Sequence, residues 1–115
     1  MIKFDLSNRV AIVTGGAQGF GLAITERFID SGAKVVIWDI DESAIKDAIN
    51  KLKSENLSHQ VVDVTKFEIV NKNLEELEKK HGKIDIFIKF YVVFFIVSKN
   101  FNQKVFRHLF GKTPH

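Results

Sequence analysis

Eight residues near the start of the chain constrain its fold more than any others: Thr14-Gly15-Gly16-Ala17-Gln18-Gly19-Phe20-Gly21. They stand between a continuous apolar run, Val10-Ala11-Ile12-Val13, and a segment of helical period over residues 20–29, where Phe20, Ile24 and Phe28 fall on one stripe. A short unbroken apolar run suits a strand covered on both faces, so the chain opens strand, glycine turn, helix. Glycines let such a turn fold tightly and bring the backbone close to a ligand. The unpaired N–H groups and positive dipole end of the helix then face whatever lies beyond the turn. A pyrophosphate is the kind of anion that arrangement holds.

The alternation continues. Gly32 stops the first helix, and residues 34–38 read as a second strand. Asp41 can cap the next helix, where Ile45, Ile49 and Leu52 share a face and Ala44 and Ala48 permit close approach to a sheet. That helix ends near Asn56, and residues 59–62 form strand three. Thr65 with Glu68 three residues on predicts a capping box, opening a helix with Val70, Leu74 and Leu77 inward and Gly82 at its end. Residues 84–88 make strand four. Strands alternating with helices imply an α/β class: a partial Rossmann, or doubly wound, parallel sheet in three α/β/α layers, truncated after strand four. With strand order 3-2-1-4, strand four would be an open edge, and exposed apolar surface and self-association are expected from it.

Composition changes at that point. All 14 acidic residues precede residue 86, whereas residues 86–115 carry five Lys/Arg and seven of the 11 phenylalanines. The chain therefore divides into a cofactor-binding part, 1–88, and a divergent basic, aromatic tail, 89–115. The apolar run 90–97 is too short for a bilayer, which takes about 20 helical residues. Prolonging strand four or starting a buried helix suits that run better than membrane-surface association, and no recognised motif accompanies the tail's charge to suggest nucleic-acid binding. The absence of cysteine excludes disulfides, zinc-thiolate sites and cysteine nucleophiles. The four histidines stand at no metal-ligand spacing, and the opening residues do not read as a signal peptide, so a cytoplasmic setting is expected.

Asp39 stands at the end of strand two, 20 residues after Gly19, the spacing at which a carboxylate accepts hydrogen bonds from ribose hydroxyls. The same charge would repel the 2′-phosphate of NADP, and neither Gly16-Ala17-Gln18 nor Ile40 offers a cation to relieve it. NAD is favoured over NADP. Asp63, directly after strand three, has two readings: acceptor for an adenine amino group, or turn-former.

Together these residues resemble the short-chain dehydrogenase/reductase family over residues 5–88. Residues 14–21 match its Thr-Gly-x-x-x-Gly-x-Gly loop, Asp39 its NAD-selecting acid, Asp63-Val64 its adenine-contacting pair, and Gly82-Lys83-Ile84-Asp85-Ile86 its entry into strand four. The resemblance implies a cofactor set of Gly15, Gln18, Gly19, Phe20, Gly21, Asp39, Asp63 and Val64, and an oxidoreductase acting on alcohols or carbonyls, often as a dimer or tetramer. The family's Asn-Asn-Ala-Gly after strand four is replaced by Lys89-Phe90-Tyr91-Val92. Its Tyr-x-x-x-Lys helix, in which the ammonium lowers the tyrosine pKa, has no counterpart: Tyr91 is the only tyrosine, Phe95 stands four residues on, and Ser98 and Lys99 are adjacent. No residue is nominated as catalytic. The expected function is an NAD-binding half, inactive alone; the alternatives are a half-enzyme completed by a separate catalytic half, or a non-enzymatic nucleotide-binding module.

Overall fold

The computed structural model describes residues 5–89 and 92–95. Phe90, Tyr91 and the tail from residue 96, including Ser98 and Lys99, lie outside the described residues. The elements run β1 (Val10–Thr14), α1 (Gly19–Asp30), β2 (Lys34–Asp39), α2 (Glu42–Leu52), β3 (Leu57–Val61), α3 (Phe67–His81), β4 (Ile86–Lys89) and β5 (Val92–Phe95).

The sheet has the order β3-β2-β1-β4-β5. The β1–β2, β2–β3 and β1–β4 pairs are parallel, with Val13 opposite Ile37 and Ile88. Residues 11–13 are wholly buried because helices cover both faces. On one face Ala11, Val13, Val35, Ile86 and Ile88 pack against Ile24 and Phe28 of α1, while Ile37 meets Ile45 and Ala48 of α2. On the other, Ile12, Val36, Trp38 and Phe87 receive Val70, Leu74 and Leu77 of α3. Each of those three α3 side chains contributes roughly 1.5–3 kcal/mol by leaving water. The three-layer α/β/α arrangement expected from the alternation is present.

Helix ends follow local chemistry in two cases and depart from expectation in a third. The Asp41 carboxylate accepts the Ala44 N–H at 3.0 Å, capping α2 as expected, and Gly82 closes α3 in a left-handed conformation (φ 78°). The capping box on α3 does not form. Its N-cap is Lys66, without a side-chain hydrogen bond, because the Thr65 hydroxyl and N–H both turn back to Asp63 Oδ1, at 2.6 and 2.9 Å. With its N–H already given to Asp63, Thr65 leaves the Glu68 carboxylate no donor to complete the box.

Strand four is not the open edge. β5 follows β4 after two residues and pairs with it antiparallel, from Lys89↔Val92 to Ile86↔Phe95. An antiparallel return needs only such a short connection, whereas a parallel strand needs a crossover of a dozen residues or more. The valines and phenylalanines of the apolar run suit a strand. Ile86 and Ile88 of β4 are buried on the α1 face and Phe87 on the α3 face. No helix among the described residues is long and apolar enough to cross a membrane.

Candidate functional site

From β1 the chain moves outward to β2 and β3, then returns past β1 to β4, so the strand order reverses between β1 and β4. Crevices outside the carboxyl ends of parallel strands at such a reversal are where ligands bind in open α/β sheets. The Thr14 hydroxyl, buried there, donates to the Ile88 carbonyl at 2.9 Å and ties the ends of β1 and β4 together.

The glycine turn begins with Gly15 at φ 64°, a left-handed conformation that side chains other than glycine's rarely adopt. Its N–H donates to the Trp38 carbonyl at 2.7 Å, anchoring the turn to β2. The turn then folds back on the first turn of α1 so closely that a Cβ on Gly21 would stand 2.0 Å from the Gly15 carbonyl oxygen. Gln18, the N-cap of α1, makes no side-chain capping hydrogen bond, and no acidic residue stands in the first turn. By contrast α2 has both, in Asp41 and Glu42. Among the described residues, the start of α1 thus has neither a side-chain cap nor a first-turn acid to compensate its positive end.

Beside this turn, a cleft of about 320 Å³ opens across the ends of β1 (Thr14, Gly15), β2 (Trp38, Asp39, Ile40) and β3 (residues 62–65). Asp39 decides its character. The residue is 7% exposed; Oδ1 accepts the Asp41 N–H at 3.1 Å, and Oδ2 is buried without a partner among the described residues. A buried carboxylate oxygen left unpaired is costly. A hydroxyl donor entering the cleft would satisfy it, so the residues present fit a ribose at this position and a pyrophosphate at the turn.

The structure gathers Gly15, Asp39, Asp63 and Val64 at the cleft, and sets Gln18, Gly19, Phe20 and Gly21 at the start of α1. Asp63 serves at least as the turn-former: its hydrogen bonds from the Thr65 hydroxyl and N–H hold its carboxyl below the usual carboxylate range. Phe20 does not extend the inward stripe of α1. It is 75% exposed, because the helix touches the sheet through Gly21 and the buried Thr25 one turn later, with Ile24 and Phe28 beyond. Sequence reasoning passed over Thr14, Trp38, Ile40, Val62 and Thr65, each adjacent to a residue it selected. The Trp38 ring is fully buried, donating Nε1–H to Gln60 Oε1 at 2.7 Å and meeting Phe87 edge-on at 5.4 Å.

Residues 9–93 match the family model described as short chain dehydrogenase. The chain belongs to the short-chain dehydrogenase family. Over 83 residues it is 40% identical to an NAD-dependent glycerol dehydrogenase of Listeria innocua, covering 72% of this chain and 32% of that protein. It is 37% identical over 86 residues to the 3-oxoacyl-[acyl-carrier-protein] reductase FabG of Chlamydia muridarum, covering 72% and 35%. Among solved structures, the 3-ketoacyl-(acyl-carrier-protein) reductase of Brucella melitensis complexed with NADH superposes with a TM-score of 0.67 at 32% identity, over 73% of this chain and 34% of that one. This short-chain dehydrogenase chain therefore spans about a third of the length of these relatives. The family uses nicotinamide dinucleotides.

Proposed function

We propose that this chain binds NAD(H) in preference to NADP(H) through the glycine turn and Asp39, and that these 115 residues hold the cofactor without turning it over. The observation that carries the reading is Asp39: a buried carboxylate with one oxygen fixed by Asp41 and the other unpaired, at the cleft beside an uncapped helix start. A second negative charge, such as a 2′-phosphate, would be repelled there. Gly15, Gln18, Gly19, Phe20 and Gly21 would hold the pyrophosphate, and Asp63 and Val64 would flank the adenine. When bound in a complete enzyme, the nicotinamide would supply hydride exchange with an alcohol or carbonyl; the residues named here would hold the pyrophosphate and adenosine parts of the dinucleotide. The sequence offers no Tyr-x-x-x-Lys pair to move the accompanying proton.

Calorimetric titration of the full chain with NADH and NADPH tests the reading. Saturable binding of NADH, at least about tenfold tighter than NADPH, with no turnover of alcohols or carbonyls, is expected. Absence of NADH binding by a folded sample, or tighter binding of NADPH, overturns it.

A further inference from the structure

We propose that Thr25 is the positioning residue of the phosphate-binding turn, a role that rests on the cofactor reading above. Thr25 lies in the second turn of α1 and is completely buried. A helical threonine commonly turns its hydroxyl back to the carbonyl four residues earlier. Here the hydroxyl reaches nine residues back and donates to the Gly16 carbonyl at 3.1 Å, inside the glycine turn.

The peptide unit between Gly16 and Ala17 is thereby held from two sides. Its carbonyl is fixed by the Thr25 hydroxyl, and Ala17 is buried among Ile37, Ile45 and Ala48. There is no room for slippage, since a Cβ on Gly16 would stand 2.9 Å from both Thr25 Oγ1 and the Val13 carbonyl oxygen. The described chain has no cis peptide bond, and in a trans unit the N–H points opposite to the carbonyl. Turning the Gly16 carbonyl inward to Thr25 therefore turns the Ala17 N–H away from α1. Thr25 touches no ligand itself; by fixing the peptide in the middle of the turn it holds in place the flanking residues, Gly15 on one side and Gln18 to Gly21 on the other, that would meet the phosphates.

The assignment separates phosphate from nucleoside binding, because the turn meets the phosphates while the cleft over β2 and β3 meets the adenosine. The test compares wild type, Thr25→Val, which keeps the shape and removes the hydroxyl, and Thr25→Ser, which restores it. Each full chain is titrated with NADH, ADP and adenosine by protein-observed NMR, with circular dichroism to confirm folding. Thr25→Val is expected to weaken NADH and ADP about tenfold, equivalent to ~1.4 kcal/mol, while leaving adenosine unchanged. Thr25→Ser should return both phosphorylated ligands to near wild-type affinity. Equal loss for all three ligands, failure of serine to rescue, or wild-type NADH affinity in Thr25→Val overturns the positioning role while leaving the cofactor reading intact. A folded wild-type chain that binds neither NADH nor ADP overturns both.

Discussion

Replacing Asp39 by asparagine should move cofactor affinity and the stability of the free chain in opposite directions. The asparagine carbonyl can still accept the Asp41 N–H, now taken by Oδ1 at 3.1 Å. The second oxygen, buried and unpaired, becomes an amide nitrogen and the charge is lost. Holding an unpaired carboxylate oxygen out of water costs more than holding a neutral amide there, so the free chain should gain about 1 kcal/mol. Hydrogen bonds from ribose hydroxyls to a charged acceptor contribute about 1.5–3 kcal/mol, so NADH affinity should fall roughly 10- to 150-fold. NADPH should lose less, because the repulsion of its 2′-phosphate disappears with the charge. Urea unfolding of the free chain and calorimetric titration with both dinucleotides read the two quantities separately. The reasoning is refuted if Asp39→Asn leaves NADH affinity unchanged, or if stability falls together with affinity, since Asp39 would then be an ordinary structural acid.

Gly21→Ala would drive a methyl to 2.0 Å from the Gly15 carbonyl oxygen; a loss of about 3 kcal/mol in urea unfolding is expected, as backbone meets backbone on both sides. Asp85 accepts the N–H of the buried Val10 at 2.8 Å and pairs with Lys83 at 3.1 Å and Arg9 at 3.4 Å. Asp85→Ala should cost about 1–3 kcal/mol by leaving that N–H without its acceptor, and the loss should persist at about 1 M salt, where exposed ion pairs are screened. His81, the last residue of α3, is held below its ordinary 6.5 first by burial and then by Lys80 and Lys34. The folded state thus prefers neutral imidazole, so stability should be full above pH 6.5 and fall as the pH drops through that value toward the lowered folded one. His81→Asn should flatten that slope; equal slopes in the two proteins would remove His81 as its source.

Much of this fold is legible in local sequence because each signal acts over a few residues. Unbroken apolar runs marked β1 and β2, the short side chain of Asp41 reached an N–H three residues ahead, and Gly82 took a backbone conformation that other residues avoid. The glycine turn and Asp39 were legible for the same reason: strand, turn and helix are contiguous, and Asp39 comes one strand later. Where two local partners competed, the sequence was ambiguous, and Thr65 bonded to Asp63 instead of capping α3.

By itself the sequence determined the alternating α/β class, the glycine turn between β1 and α1 and the carboxylate at the end of β2, since these depend on periodicity and spacing along one stretch of chain. Only the tertiary structure decided what depends on atoms far apart in sequence. It decided that β5 turns back against β4, that Phe20 lies outside the core, and that Asp39 is buried with one oxygen unpaired. It also decided that the Thr25 hydroxyl reaches the Gly16 carbonyl. Burial and hydrogen-bond satisfaction arise from neighbours that folding brings together, and no periodicity in the chain announces which neighbour will arrive.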